Sequence, residues 1–129
     1  MTAEHRIVDV PGLPEAIGYA HAVVAAPGRS VYLGGQTGAG ETLVEQFAAA
    51  AASIVAALRA AGGEPDDLVS LVVYATDLDE YRASLSDLGE VWRHHFGRRY
   101  PAMALVEVSA LLEPKARVEL MGVAVVPDD

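Results

Sequence analysis

Cysteine is absent from the 129 residues, so the chain has no disulfide, no thiolate nucleophile and no thiolate ligand for zinc or an iron–sulfur cluster. Positive charge is scarce. Nine Lys and Arg face eighteen Asp and Glu, and the net charge of −9 repels phosphate backbones, so nucleic-acid binding would need a local basic patch acting against the overall field. The only such cluster is Arg93, His94, His95, Arg98 and Arg99, and arginines at a helix end serve equally to complement the carbonyl end of the helix dipole. No run reaches the roughly 18 consecutive apolar residues of a membrane span. The start, Met1 to Arg6, has no signal-peptide core, which leads us to expect a cytoplasmic protein with no membrane partner. Adjacent His94 and His95 point in different directions on a helix and lack metal-site spacing, so no metal and no cofactor is expected.

What is present is a core. With 52% hydrophobic and 21% charged residues, the chain reads as one globular domain over 1–129. His5 to Val10 suggests an edge strand broken by Pro11-Gly12-Leu13-Pro14. The runs 19–26 (YAHAVVAA) and 30–35 (SVYLGG), separated by Pro27-Gly28-Arg29, predict an antiparallel hairpin. Thr42 and Glu45 form a capping-box signature ahead of Phe47, Ala51, Ile54, Leu58 and Ala61 at helical spacing, and Gly62-Gly63 ends the pattern. The β-branched run 68–76 predicts a buried central strand. A second helix carries Tyr81, Leu85, Leu88, Trp92 and His95 or Phe96 to Gly97, and strands are expected at 102–108 and 116–126.

Strand parity gives these elements a functional consequence. Along 102–108, Ala102, Ala104, Val106 and Val108 fall on one face and Met103, Leu105 and Glu107 on the other, so neither face suits water. Two helices cover one side of a mixed sheet. The other side would stay apolar and exposed, which predicts a symmetric oligomer with sheet faces packed together.

The paired stretches 30–38 (SVYLGGQTG) and 100–108 (YPAMALVEV) hold the candidate chemistry. Gly34-Gly35 lacks the company of a phosphate motif and reads as close backbone approach, with the Gly35 N–H as a donor to an oxyanion or carbonyl oxygen. Glu119, between Val118 and Leu120, would have its carboxyl pKa raised by desolvation unless a partner such as Arg117 compensates, and a raised pKa suits acid–base work. Glu107 shares the Met103 face and is read first as a structural ion pair. Tyr19 is placed at a pocket or interface rim, with His21 two residues on as a candidate proton carrier. Trp92 and Phe96 are core.

The blocks 18–23 (GYAHAV), 31–36 (VYLGGQ), 60–63 (AAGG), 101–108 (PAMALVEV) and 116–120 (ARVEL), in this order over about Val10 to Val126, resemble the Rid (RidA/YjgF) family. The resemblance implies a chorismate-mutase-like α+β fold, with a mixed sheet and two helices on one face. It further implies a homotrimer with small-molecule pockets between subunits, and hydrolysis of 2-imino or 2-enamino acids to 2-keto acids and ammonia. It also implies a site containing Tyr19, the Gly35 N–H and Glu119 with the positions of Gly34 and Met103; strand parity adds Leu105 and Glu107, and proximity to Tyr19 adds His21, as candidate substrate-binding residues. Deaminating relatives carry an arginine at the position of Met103 to grip the substrate carboxylate, and tend to carry serine at Gly34. A thioether offers neither charge nor a fork of donors, and each charge-assisted hydrogen bond lost is worth roughly 1.5–3 kcal/mol. The expected ligand is therefore less anionic, larger or more apolar, met by Met103 and Leu105. The reading is a divergent catalyst of imine, enamine or carbonyl chemistry; the alternative is a noncatalytic trimer that binds a small molecule. Ribonuclease action, attached to some relatives, is opposed by the acidic balance.

Overall fold

The computed structural model describes residues 4–128. Six strands and three α-helices follow in the order β1 (Arg6–Val8), β2 (Ala22–Val24), β3 (Gly28–Gln36), α1 (Leu43–Ala60), β4 (Leu68–Ala75), α2 (Leu78–Ala83), α3 (Leu85–Phe96), β5 (Ala102–Glu107) and β6 (Val118–Pro127). A single 3-10 turn, Pro65–Asp67, precedes β4. The main sheet is mixed, in the order β3-β6-β4-β5, with β4 and β5 parallel and the other pairings antiparallel. A parallel neighbour needs a crossover, and α2 with α3 supplies it between β4 and β5.

Alternation along the strands divides this sheet into two unlike faces. Leu33, Leu71, Val73, Val118, Leu120 and Ala124 point to one face and are buried with Phe47, Ile54 and Leu58 of α1 and Leu88, Trp92 and Phe96 of α3. The opposite face holds Tyr32, 80% exposed, Met121, 42% exposed, and Val106, and no helix of the protomer lies over it.

Helix α1 begins as its sequence dictates. The Thr42 hydroxyl accepts from the Glu45 N–H at 3.1 Å while the Glu45 carboxylate accepts from the Thr42 N–H at 3.1 Å, and the chain leaves the helix through Gly62 at φ 89°. By length and apolar composition alone α1 is capable of crossing a membrane, but its apolar side is spent on the sheet.

Two expectations are corrected. The runs 19–26 and 30–35 do not form a hairpin: β2 pairs with β1, and β3 pairs with β6. Only three residues of the first run are extended, too few to hold β3, while β6 offers a partner of ten residues. The second helix is two, broken at Ser84, so three helices rather than two accompany the sheet. The break turns Leu85 out to solvent, 57% exposed, while Tyr81, Leu88, Trp92 and Phe96 keep their buried stripe. β5 is an outer strand of the main sheet, and Leu105 and Val106 remain exposed, in keeping with the expectation of an apolar surface left uncovered by the helices.

Candidate functional site

A β-bulge builds the first part of the site. Leu33 pairs with Gly122 and Gln36 with Leu120, so Gly34 and Gly35 together stand opposite Met121. Two consecutive residues thus face the uncovered side, and neither has a side chain. The space above Gly34 is open, with nothing within 4 Å of where a Cβ would stand. A Cβ on Gly35 would lie 2.9 Å from the Glu119 carboxyl carbon. Glycine at 35 is what lets the Glu119 carboxylate lie flat against the backbone.

Register carries the row onward. Glu119 stands beside Tyr74 of β4, and Tyr74 beside Val106 of β5, all on the uncovered face. Arg117, proposed from sequence as the partner of Glu119, pairs with Glu80 of α2 instead. Among the described residues the Glu119 carboxylate has no ion-pair partner. A half-exposed carboxylate on a largely apolar surface, beside a bare backbone, can take or give a proton to a bound group.

The remaining residues lie elsewhere in the protomer. Met103 pairs with Leu71 and Leu105 with Val73, which puts both on the helix-facing side of β5; Met103 packs half-buried against the core. Among the described residues Glu107 has no ion-pair partner. Its carboxylate accepts from the Leu78 N–H at 3.0 Å and so satisfies a free donor at the start of α2, where negative charge is favoured. Tyr19 and His21 are not strand residues. They flank Ala20, whose N–H donates to the Pro101 carbonyl at 2.9 Å, and their rings meet edge to face at 5.1 Å. The His21 Nε2 lies 2.7 Å from the Pro14 carbonyl oxygen. Both residues line an open depression bounded by Ile7, Val10, Leu13 and Pro14.

The proposed residues therefore form three groups: Gly34, Gly35 and Glu119 on β3 and β6; Met103, Leu105 and Glu107 on β5; Tyr19 and His21 in the loop beyond β5. Between β6 and β5 lies one strand, a separation of about 10 Å at ordinary strand spacing.

The basic cluster at the end of α3 is divided among local tasks. Arg99 donates to the His5 carbonyl at 2.8 Å, and the His94 and His95 rings meet at 4.9 Å. Burial, and secondarily the neighbouring His94, lower the His95 pKa. Among the described residues no three His, Cys, Asp or Glu side chains are gathered as a metal site would require. Sequence reasoning overlooked His5, which is buried and fully bonded. Its only sequence signal was a place in an edge strand.

Comparison with known proteins agrees with the fold. The family model described as Endoribonuclease L-PSP matches residues 13–126. Rv2704 of Mycobacterium tuberculosis, described as a member of the YjgF/YER057c/UK114 family, is 34% identical over 95% of this chain and 100% of its own, with a TM-score of 0.67. RidA from the Antarctic bacterium Psychrobacter is 29% identical over 94% of this chain and 99% of its own, also at 0.67. YyfB of Yersinia pestis, described as a Rid-family protein of unknown function, is 24% identical and shares the fold at a TM-score of 0.84, over 96% of this chain and 100% of its own. A search of curated proteins finds no match.

Proposed function

We propose, from the premise that this chain belongs to the Endoribonuclease L-PSP family of Rid/YjgF proteins, that it acts on a small imine, enamine or carbonyl compound in a pocket closed between copies of itself. The observation that carries this is the Glu119 carboxylate lying against the bare backbone of Gly35, without an ion-pair partner, on a sheet face that no helix covers. Glu119 handles the proton and the Gly35 N–H holds the oxygen or nitrogen of the reacting group.

The same geometry supports association between copies of the chain, which we read, from the family resemblance, as a trimer. Tyr19, His21 and Met103 cannot meet Glu119 within one protomer, because they lie at the β5 side of the sheet while Glu119 lies on β6, near the opposite edge. In the assembly we propose, the β5 side of a second copy approaches the uncovered face and brings its Tyr19 and His21 toward Glu119, and a closed ring buries Tyr32, Met121 and Val106 in every copy.

The ligand is not a standard 2-imino acid. Met103 and Leu105 present no cation, and Glu107 of the same strand side adds negative charge already committed to α2. That lack of a carboxylate grip also favours the second reading, a noncatalytic trimer that binds a small apolar metabolite. RNA cleavage, named in the family's description, is opposed by the net charge of −9.

Two measurements test the proposal. Light scattering should give about 40 kDa, three times the 13.5 kDa chain, and a single-copy mass would end the intersubunit reading. Ammonia and keto-acid release from freshly generated 2-iminopropanoate should stay near background. Turnover there matching arginine-bearing relatives would show that Met103 does not set the ligand class.

A further inference from the structure

The small sheet of β1 and β2, with the loop 9–21 between its strands, is a flap attached to the body along a narrow seam. Main-chain attachment near the proposed site comes from the Ala20 N–H to the Pro101 carbonyl and the isolated bridge between Ala20 and Ala102. A second polar attachment centres on one residue. His5, 7% exposed, accepts at Nδ1 from the Ala26 N–H at 3.0 Å, which leaves the ring hydrogen on Nε2 to donate to the Val125 carbonyl at 2.8 Å. Its Nε2 also stands 3.4 Å from Asp67, and its own carbonyl accepts from Arg99 at 2.8 Å. One residue thus joins the start of the flap to the approach of β3, to β6, to the turn before β4 and to the segment after α3.

Inside the seam the packing is imperfect. Ile7 and Val23 of the flap meet Leu68, Phe96 and Pro101 around a cavity no larger than a water molecule. Trp92 lines it, 4% exposed, stacked on Tyr100 at 5.3 Å, with its Nε1–H buried and unpartnered. Among the described residues the seam thus leaves one buried donor, the Trp92 Nε1–H, without a partner, whereas both ring nitrogens of His5 are bonded.

We propose that His5 is a positioning residue: it latches the β1–β2 flap, and with it Tyr19 and His21, against the body of the protein. The consequence for ligand binding rests on reading Tyr19 and His21 as site residues; the latch itself does not.

Trp92 is the only tryptophan and sits at the seam, so its fluorescence reports the latch. His5→Phe keeps the ring and removes both nitrogens. Acrylamide quenching of Trp92 should rise severalfold in this variant, and hydrogen exchange at residues 6–8 and 22–24 should quicken about tenfold, the factor expected for one or two buried hydrogen bonds. Amides of β4 and β6 should keep their protection, and His5→Gln, which retains a donor and an acceptor, should recover part of the loss. Unchanged quenching, or equal loss of protection in β4 and β6, would overturn the latch. If His5→Phe does not fold, native-state exchange of the unaltered protein decides: flap amides should open together at lower free energy than the main sheet, and opening only with global unfolding overturns the proposal. None of these readouts uses a ligand, so the latch and the intersubunit site can fail separately.

Discussion

The two faces of the main sheet are made from the same strands and ask different things of alternate residues. On β6, Val118, Leu120 and Ala124 are fully buried beneath the helices, while Glu119 and Met121 between them look outward onto a surface without cover. One parity maintains the protomer and the other is free to serve assembly and chemistry. A residue's place in the alternation therefore tells more about its role than its residue type does: Leu120 and Met121 are adjacent, similar in size and both apolar.

The sharpest test substitutes that adjacent pair. Leu120→Ala removes a fully buried side chain and should cost about 2–5 kcal/mol in denaturant unfolding, the range for cavities left in a packed core. Met121→Lys should leave protomer stability within about 0.5 kcal/mol, since it alters a residue 42% exposed on the uncovered face, yet should abolish the proposed assembly on light scattering because it places a cation in the contact proposed there. Equal losses of stability from both substitutions would erase the distinction between the faces.

A smaller contrast concerns tyrosines. Tyr81 packs under the covered face near Phe47, and burial pushes its pKa up to about 12. The unfolded phenol ionises near its ordinary value of about 10, so the folded state keeps its proton longer than the unfolded state does. Stability from this group is fully present below about pH 10 and is lost as pH rises from about 10 to about 12. In a titration followed by phenolate absorbance, Tyr81→Phe should remove the last-ionising component. Persistence of that component in the variant would assign it elsewhere.

The local parts of this architecture were legible because their signals are local. Thr42 and Glu45 cap α1 through bonds spanning three residues, and β4 is a continuous β-branched run in the middle of the sheet. What failed depended on distant partners. No feature of 19–35 reveals that β3 will find β6 some ninety residues later in preference to the run just before it. The break at Ser84 was hidden because Tyr81, Leu88 and Trp92 keep a helical spacing across it. At the site, Gly34, Gly35 and Glu119 were singled out from sequence, but their common face was not readable, since a bulge suspends the alternation that parity arguments assume. The His5 latch left no trace in the sequence pattern because every partner of its ring and carbonyl lies more than twenty residues away.

The finest version of the comparison lies within the uncovered face, between two neighbouring glycines. An added methyl at Gly35 meets the end of the Glu119 side chain, a flexible group that can swing aside, so Gly35→Ala should cost no more than about 1 kcal/mol of stability. Its effect falls on geometry instead, because the carboxylate can no longer occupy the space beside Gly35 that the missing Cβ leaves. Gly34→Ala meets open space at an ordinary backbone angle and should be neutral or slightly stabilising, since alanine restricts the unfolded chain more than glycine does. Crystal structures of the two variants give the decisive reading. The Glu119 carboxylate should be displaced in Gly35→Ala and unmoved in Gly34→Ala; displacement in both, or in neither, would mean that the bulge does not divide the two positions into a support for the carboxylate and an open neighbour.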